Sequence, residues 1–474
     1  RIAVNREIMA DLETPLTCYL KLANQPYSYL FESVQGGEKW ARYSIIGLPC
    51  QTRIQIEGDH IKVISGNKII EETQTSNPFS WIRQYQKKFT VAKHPDLPHI
   101  SGGLVGYFSY DTVRYIETRL GACPNSDPLS IPDIILLVSN EVILFDNLKG
   151  TLHLLTHVDP QKNHAWEQAQ QRLDELEQGL KQPYTLAPLS PQQQHNDIDF
   201  NISQNKPDYI QAIKKIKRYI SDGDVMQVVY SLRLETKYEE QPLQLYRALR
   251  CLNPSPYMYY LNFDNFQVVG SSPEILVRVE NGDVTVKPIA GTRKRGQTTA
   301  QDAALEKELL SDPKELAEHL MLIDLGRNDI GRVSETGSVN VTEHMAIERY
   351  SHVMHIVSEV QGRLKAGYDS IDALCATLPA GTLSGAPKVR AMEIIDELET
   401  IKRGIYGGAI GYFSWEGNLD TAIAIRTAII KDQMIHVQAG GGIVYDSDPE
   451  LEWQECMNKA KAIASAIAMV KQSL

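Results

Sequence analysis

The first 160 residues consist mostly of short stretches in which apolar and polar positions alternate. A period of two is typical of strands with one buried face. Gly58-Asp59 and Ser65-Gly66-Asn67 separate some of these stretches, which favours antiparallel hairpins. The pattern predicts strands over residues 42–46, 51–57, 60–64, 67–71, 134–138, 141–145 and 152–157.

Helical periodicity is strongest in two later stretches. Leu173, Leu176 and Leu180 form one apolar stripe that predicts a helix over 163–182, and isoleucines at similar spacing predict another over 207–221. Further helices are predicted over 243–252, 300–310, 313–332, 369–377, about 386–400 and 449–470. Strands are predicted over 227–236, 257–263, 267–270, 274–279, 284–288, 409–415, 419–430 and 434–439. Because strands occur in runs rather than alternating with helices, we expect an α+β fold.

Residues 183–205 are rich in Pro, Gln and Asn and lack periodicity, so we interpret them as a linker or surface crossover. They divide the chain into an N-terminal subdomain (1–182) and a catalytic region (206–474). A chain of 474 residues would ordinarily form two or three domains, and one large intertwined unit is also compatible with it.

The formal net charge of −11 argues against nucleic acid or an anionic membrane as the main partner. Six widely spaced cysteines form no Cys-x-x-Cys motif, which favours a reducing compartment. No apolar run reaches the ~18 residues of a membrane span, and the first residues lack the apolar core of a signal peptide. We therefore expect a cytoplasmic globular protein.

Two helix starts share one pattern. Asp312 precedes Pro313 and suits an N-cap, while Glu315 and Glu318 lie one helical turn apart. After Asp448-Pro449, Glu452 and Glu455 repeat this spacing. Acidic first turns also complement the helix dipole, and that explanation suffices for either pair alone. Because the arrangement occurs twice, we predict that the four glutamates hold Mg²⁺, which prefers oxygen ligands.

Other residues suggest binding of an anion and acid–base chemistry. The turn over 381–388 brings backbone amides and Thr382 to a helix start, and a tight turn explains it equally well. Arg426 ends an alternating run and needs an anionic partner, either a ligand or an internal carboxylate. His355 is either a structural histidine or a catalytic one, and Glu274 after Pro273 is either an exposed strand end or a general acid. This set suits a small di- or polycarboxylate as substrate.

Four long motifs, 288–293, 315–329, 381–388 and 452–459, resemble those of the chorismate-utilising enzymes, most closely the large subunits (component I) of anthranilate synthases. The resemblance covers nearly the whole chain. It implies two interleaved α/β subdomains around a β-sandwich core. It also implies the conversion of chorismate and ammonia to anthranilate and pyruvate with Mg²⁺, the first step of tryptophan biosynthesis.

The resemblance also assigns roles to individual residues. Glu318 and Glu455 would bind the metal directly, with Glu315 and Glu452 acting through metal-bound water. Glu274 would be the general acid that protonates the leaving C4 hydroxyl, and His355 would serve the later elimination of pyruvate. Tyr406 and Arg426 would bind the enolpyruvyl carboxylate. The remaining pocket residues would be Gly291, Thr292, Thr382, Gly440, Gly442 and Lys459.

Two positions separate the subfamilies. Members that activate water carry a lysine where this chain has Gln227, so the resemblance favours ammonia as nucleophile over isochorismate or salicylate synthesis. Many aminodeoxychorismate synthases carry a lysine nucleophile where this chain has Ala290, although some also have alanine. An aminodeoxychorismate synthase component, or less readily a non-catalytic partner subunit, therefore stays an alternative.

Glu32-Ser33 and the stretch Pro256-Tyr257-Met258 resemble the tryptophan-binding regulatory site of anthranilate synthases. The family form is Leu-Leu-Glu-Ser, whereas this chain has Phe31 before Glu32. The resemblance thus implies feedback inhibition by tryptophan. Because no part of the chain resembles a glutamine amidotransferase, it also implies a separate small subunit (component II) and hence a hetero-oligomer.

Overall fold

A computed structural model describes residues 1–34, 42–92, 100–184, 189, 198–350 and 353–472. Its ten described helices are α1 (Pro15–Leu22), α2 (Pro78–Gln86), α3 (Ala165–Leu180), α4 (Lys206–Ser221), α5 (Pro242–Leu252), α6 (Thr299–Leu309), α7 (Pro313–Gly331), α8 (Ser370–Thr377), α9 (Lys388–Leu398) and α10 (Pro449–Gln472). No described helix is both long and apolar enough to cross a membrane.

The described strands of the first 202 residues are β1 (Ile2–Met9), β2 (Ser28–Glu32), β3 (Tyr43–Gly47), β4 (Thr52–Glu57), β5 (His60–Ser65), β6 (Lys68–Gln74), β7 (Gly103–Phe108), β8 (Ile134–Ser139), β9 (Glu141–Asp146), β10 (Thr151–Val158) and β11 (Asn201–Ile202). The later ones are β12 (Gln227–Lys237), β13 (Tyr257–Asn262), β14 (Phe266–Ser272), β15 (Ile275–Glu280), β16 (Asp283–Val286), β17 (Ile289–Lys294), β18 (Asn340–Arg349), β19 (Val353–Arg363), β20 (Gly385–Ala386), β21 (Ala409–Ser414), β22 (Leu419–Ile423), β23 (Thr427–Lys431) and β24 (Met434–Ile443). The α+β class is thereby confirmed.

Two sheets of twelve strands form the centre of the molecule. The first sheet has the order β1-β10-β9-β3-β2-β13-β14-β23-β24-β12-β11, with β20 beside β12. The second has the order β17-β19-β16-β15-β22-β21-β7-β8-β4-β5-β6, with β18 beside β19. Both sheets combine strands from before and after residues 183–205. The proposed division at these residues stays a prediction, and 185–188 and 190–197 lie outside the described residues.

The buried side chains form layers. Tyr29 and Val268 of the first sheet pack with Tyr107 and Leu137 of the second, which forms the core of a sandwich. Helices α1, α3, α5 and α10 cover the outer face of the first sheet. Helices α2, α7 and α8 cover the outer face of the second. The alternating apolar positions are therefore matched by a partner layer on each side.

The strand predicted over 419–430 is wrong as a single element. The structure has β22 in the second sheet and β23 in the first, separated by residues 424–426. The apolar pattern runs through the break because both strands are buried, so periodicity alone does not reveal the change of sheet. Helices α1 and α2 and the long hairpin β18–β19 were not predicted from the sequence.

Candidate active site

The chain changes from one sheet to the other at two neighbouring places. Glu274 lies between β14 of the first sheet and β15 of the second, and Arg426 lies between β22 of the second and β23 of the first. The two crossovers share backbone hydrogen bonds: Ser271 N donates to Arg426 O (3.1 Å) and Ile423 N donates to Glu274 O (3.0 Å). This double crossover therefore brings an acid and a cation together from positions 152 residues apart in the sequence.

The Glu274 carboxyl is buried, with 8% of the residue exposed, and its Oε1 accepts a hydrogen bond from Thr382 Oγ1 (3.0 Å). Burial raises the pKa of Glu274 to about 7, while the Thr382 hydroxyl and the charges of Arg426 and Lys459 act in the opposite direction. A carboxyl group with such a pKa is partly protonated near neutral pH. It therefore suits a general acid.

Arg426 is half-buried and has a left-handed backbone (φ +48°). Burial lowers the pKa of Arg426, whereas the nearby Glu274 and Tyr350 raise it. Within the described ranges its guanidinium forms no hydrogen bond or ion pair, so the internal salt bridge that the sequence left open is not found there. A partly desolvated guanidinium favours an anionic ligand, and a carboxylate matches its two-pronged geometry.

His355 is oriented by the β17–β19 ladder, in which it lies opposite Thr292. Its Nδ1 contacts Gly291 O (3.0 Å) and Thr292 Oγ1 (3.1 Å). Because a carbonyl oxygen only accepts, Nδ1 carries the proton and Nε2 is left as the acceptor of the neutral ring. Burial lowers the pKa of His355 and thereby favours that neutral form.

The two predicted glutamate pairs lie at the starts of α7 and α10. Asp312 Oδ1 accepts from the backbone of Lys314 (3.0 Å) and Glu315 (3.4 Å), so the predicted N-cap is confirmed. Asp448 Oδ1 caps α10 in the same way, accepting from the backbone of Glu450 (2.9 Å) and Leu451 (3.0 Å). Both caps fix the first turns from which the glutamates project.

The carboxylates of the two helices influence one another. Burial raises the pKa of Glu318, and the negative charges of Glu315 and Glu455 add to this rise. Burial likewise raises the pKa of Glu452, with a further contribution from Glu455. The charge of Glu455 thus acts on both helices, which indicates that the two pairs face a common region.

In each pair, one glutamate forms an ion pair with a basic side chain. Arg293 Nη1 contacts Glu315 Oε1 (3.1 Å), and Lys459 Nζ contacts Glu455 Oε1 (2.7 Å) and donates to Gly440 O (2.9 Å). No three acidic, histidine or cysteine side chains of the described residues lie close enough to form a metal cage. The sequence reasoning did not identify Arg293, although it ends the first of the four recognised motifs.

Glycines leave space beside these carboxylates. A Cβ at Gly291 would lie 3.2 Å from Glu315 Oε2, and one at Gly441 would lie 2.9 Å from Glu452 Oε2. Gly291 also has a positive φ of 65°, which side chains rarely adopt. The four carboxylates, beside open glycine backbone, are of the ligand type that a hard divalent cation prefers, although they do not form a closed cage in this arrangement.

Another wall of the site is the β12–β24 ladder, in which Gly442 pairs with Val229 and Gly440 pairs with Ser231. The Gln227 side chain crosses Gly442, because a Cβ there would lie 2.3 Å from Gln227 Nε2. Gln227 Oε1 is buried and has no hydrogen-bond partner among the described residues. A cavity of about 50 Å³ borders Glu274 and Thr382. Tyr406 is buried, which raises the pKa of its hydroxyl and keeps it protonated.

The residues that resemble a tryptophan site lie on a different part of the first sheet. Glu32 is buried opposite Met258 in the β2–β13 ladder. Its carboxylate accepts from Tyr246 (2.5 Å) and from both prongs of Arg250 (3.0 and 3.2 Å) on α5.

The two faces of β13 separate the other predicted residues of that site. Met258 packs in the core that lies under the helices. The Tyr257 hydroxyl instead bonds Asp420 (2.9 Å) in the opposite sheet. Ser33 and Pro256 are half-buried at the strand ends. The structure therefore brings Glu32 and Met258 together and directs Tyr257 to the other face, as the alternation of a strand requires.

Comparison with known proteins agrees with this geometry. A family model described as chorismate binding enzyme matches residues 32–465. The anthranilate synthase component 1 of Pseudomonas putida is 57% identical over all of this chain and 96% of its own length. The corresponding protein of Neisseria meningitidis serogroup B is 52% identical with the same coverage.

Solved structures give the same result at the level of the fold. Anthranilate synthase component I from Streptococcus pneumoniae TIGR4 superposes with a TM-score of 0.80 at 38% identity, covering 96% of this chain and 98% of the other. The isochorismate synthase MenF from Escherichia coli superposes with a TM-score of 0.73 at 18% identity, covering 98% and 94%. The latter identity is too low to support more than a shared fold.

Proposed function

Since the chain belongs to the chorismate-binding enzyme family, we propose that it is the chorismate-converting component of an anthranilate synthase. In this reaction chorismate and ammonia give anthranilate, pyruvate and water. The observation that carries the proposal is the double crossover, where a buried acid with a pKa of about 7 lies beside an arginine that forms no ion pair with any described residue. The full-length relatives named anthranilate synthase component 1 support the choice of product.

Glu274 acts as the general acid in the first chemical step. As ammonia adds at C2, the C4 hydroxyl of chorismate leaves, and Glu274 protonates it so that it departs as water. Thr382 orients the carboxyl through its hydrogen bond. His355, held as the neutral Nδ1–H tautomer, presents Nε2 as a base for the elimination that releases pyruvate.

The substrate carboxylates determine its orientation. Arg426 and the Tyr406 hydroxyl bind the enolpyruvyl carboxylate, because each offers a donor that no described residue occupies. Gly291, Thr292, Gly440, Gly442 and Lys459 complete the pocket, the glycines by allowing close approach to the backbone. Gln227 cannot act as a base towards water, which leaves ammonia, already a nucleophile, as the reactant.

We further propose that Glu315, Glu318, Glu452 and Glu455 hold Mg²⁺. The donor set and the space beside Gly291 and Gly441 support this assignment. A bound divalent cation supplies positive charge that neutralises and orients the ring carboxylate of chorismate. Arg293, which contacts Glu315, and Lys459, which contacts Glu455, hold these two carboxylates in place.

Regulation and partners follow from the same relationship. The component 1 names of the relatives support a second component, which we propose to be a glutamine amidotransferase that delivers ammonia within a hetero-oligomer. We propose feedback inhibition by tryptophan at Glu32, Ser33, Pro256, Tyr257 and Met258. Six unpaired cysteines support a reducing, cytoplasmic location.

One incubation tests the proposed function. The purified chain is incubated with chorismate, Mg²⁺ and an ammonium salt, and anthranilate fluorescence and pyruvate are both measured. We expect equal amounts of the two products, and no turnover when glutamine replaces ammonium. Aminodeoxychorismate without pyruvate, isochorismate, or no turnover with ammonium would each contradict the proposal.

A further inference from the structure

Behind the site, one buried arginine joins segments that are distant in sequence. Arg403 is only 3% exposed and follows α9. Its guanidinium forms a two-pronged pair with Glu399, from Nε to Oε2 (2.9 Å) and from Nη2 to Oε1 (2.6 Å). It also donates to two backbone carbonyls, Nη1 to Leu383 O (2.6 Å) and Nη2 to Val229 O (2.7 Å).

Both carbonyls belong to walls of the site. Leu383 ends the short 3₁₀ turn that begins at Gly381 and contains Thr382, the hydrogen-bond partner of Glu274. Val229 lies on β12 opposite Gly442, two residues after Gln227. Val229 N also donates to Ser384 O (2.9 Å), so the turn already lies against β12, and Arg403 adds a side-chain link between the turn that orients the acid and this strand.

Glu399 extends this link to a second point on β12. Its Oε1 accepts from Ser231 N (2.9 Å) and Ser231 Oγ (2.7 Å), and Ser231 lies opposite Gly440. The Arg403 guanidinium also lies over the aromatic rings of Tyr110 (4.6 Å) and Tyr406 (5.7 Å). The pair thus contacts four segments, three of which carry residues of the proposed pocket.

Stability alone does not explain such a pair. Removing two charges from water offsets most of their attraction, so a well-packed apolar pair of similar volume would be about as stable. What an apolar pair lacks is direction, because only the guanidinium fork fixes two carbonyls at defined angles. The Arg403 guanidinium donates to the carbonyls of Leu383, next to Thr382, and Val229, two residues after Gln227.

We propose that Arg403, oriented by Glu399, is a positioning residue that sets the Thr382 turn and the Tyr406 ring against β12. This inference rests on the proposed function, because Thr382, Glu274 and Tyr406 matter only if that pocket is the active site. Arg403 itself does not touch the substrate. Its effect reaches the reaction through the hydrogen bond between Thr382 and Glu274.

The decisive variant is Arg403→Lys, which keeps the charge and loses the fork. We expect kcat to fall at least tenfold, since small displacements of catalytic groups are costly. The hydrogen bond from Thr382 lowers the pKa of Glu274, so a weaker bond raises that pKa. The high-pH limb of the kcat–pH profile, where kcat falls as Glu274 loses its proton, should therefore move to higher pH. Glu399→Gln, which retains an acceptor for Ser231, should shift the limb in the same direction by less.

A double variant tests the route of the effect. Thr382→Val removes the same hydrogen bond directly, so its limb shift and that of Arg403→Lys should not add in the doubly substituted chain. Additive shifts would show that Arg403 acts by another route and would overturn the proposal. An unshifted limb in Arg403→Lys would overturn it as well.

Arg114→Lys is the matched control. Arg114 forms a similar fork pair with Asp396 on α9 and also contacts Asp111, but among the described residues its side chain contacts none of the three segments that carry pocket residues. We expect a comparable loss of melting temperature and an unchanged pH limb. If Arg403→Lys behaves like this control, its role is only structural and the proposal fails. If the wild-type chain instead makes another product from chorismate, the proposed function fails, and the limb measured on that product still tests Arg403.

Discussion

At the scale of single residues, the environment of Glu274 decides what its carboxyl group can do. The sequence left an exposed strand end and a general acid as alternatives. The structure buries the residue between two sheets, and burial raises its pKa to about 7. A carboxyl group in water has the wrong pKa for donating a proton near neutrality, so burial is the cause of the proposed role.

Glu274→Gln keeps the shape of the side chain and removes the proton that it donates. We expect kcat to fall about 10²- to 10⁴-fold, the usual contribution of a general acid, with little change in chorismate binding. Steady-state kinetics and a separate binding titration measure the two effects. Glu280→Gln, at the far end of β15, the strand that begins directly after Glu274, serves as the control. Activity within threefold of the wild type would exclude Glu274 as the acid.

The raised pKa of Glu274 also predicts a dependence of stability on pH. Because the folded pKa exceeds the unfolded one, the contribution of Glu274 is fully favourable below pH 4.5 and is lost as pH rises through about 7. The difference between the two pKa values corresponds to roughly 3 kcal/mol.

Glu274→Gln should therefore melt at a higher temperature than the wild type at pH 8, and the difference should shrink towards pH 5. Thermal unfolding at both pH values measures it. An equal difference at both pH values would contradict the assigned pKa.

At the scale of elements, the site consists of loop ends and first helical turns that larger structures hold in place. The caps of α7 and α10 were predictable from local sequence, because Asp followed by Pro satisfies the free amides of a first turn. The strand break at Arg426 was not, because it depends on which sheet each strand joins. The sequence thus predicts the features that local residues determine, such as helix caps, and not those that depend on which sheet a strand joins.

Glu318→Ala tests the proposed metal-binding role of the two helices. Removing one carboxylate should abolish turnover and weaken Mg²⁺ binding about tenfold or more, because it deletes a ligand. Calorimetric titration with Mg²⁺ provides a readout that does not depend on activity. Circular dichroism should show a fold that is largely retained.

The matched control for the metal prediction is Glu450→Ala. Glu450 lies in the first turn of α10 but pairs outward with Lys206 (2.5 Å). The Glu450→Ala variant should therefore keep the Mg²⁺ affinity and the turnover of the wild type. Unchanged Mg²⁺ affinity in Glu318→Ala would remove this glutamate from the metal site.

At the scale of the whole molecule, the first sheet connects the predicted regulatory residues to the active site. Strands β2 and β13, which carry Glu32 and Met258, belong to the same sheet as β14, which ends two residues before Glu274. A ligand that changes the pairing of β2, β13 and β14 therefore acts on an element that borders the acid. This continuity supports the proposal that tryptophan regulates catalysis from a separate site.

Ser33→Leu should abolish inhibition by tryptophan while leaving turnover within about twofold of the wild type. The substitution replaces the small polar side chain of a half-buried residue at the end of β2 with a larger apolar one, and Ser33 is not one of the residues that contact Glu274. Anthranilate formation at increasing tryptophan concentrations measures the effect. A variant that stays fully sensitive would show that tryptophan binds elsewhere.

The sequence by itself determined the α+β class, most helices of the second half, the helix caps and, through four motifs, the family. These features depend on local periodicity, turn chemistry and residue identity, all of which are readable along the chain. Tertiary structure alone decided that Glu274 and Arg426 lie at adjacent crossovers, that Arg293 holds Glu315 and that Arg403 joins the site walls. Such contacts depend on how distant segments pack, and a carboxyl group acquires its working pKa only once that packing has removed it from water.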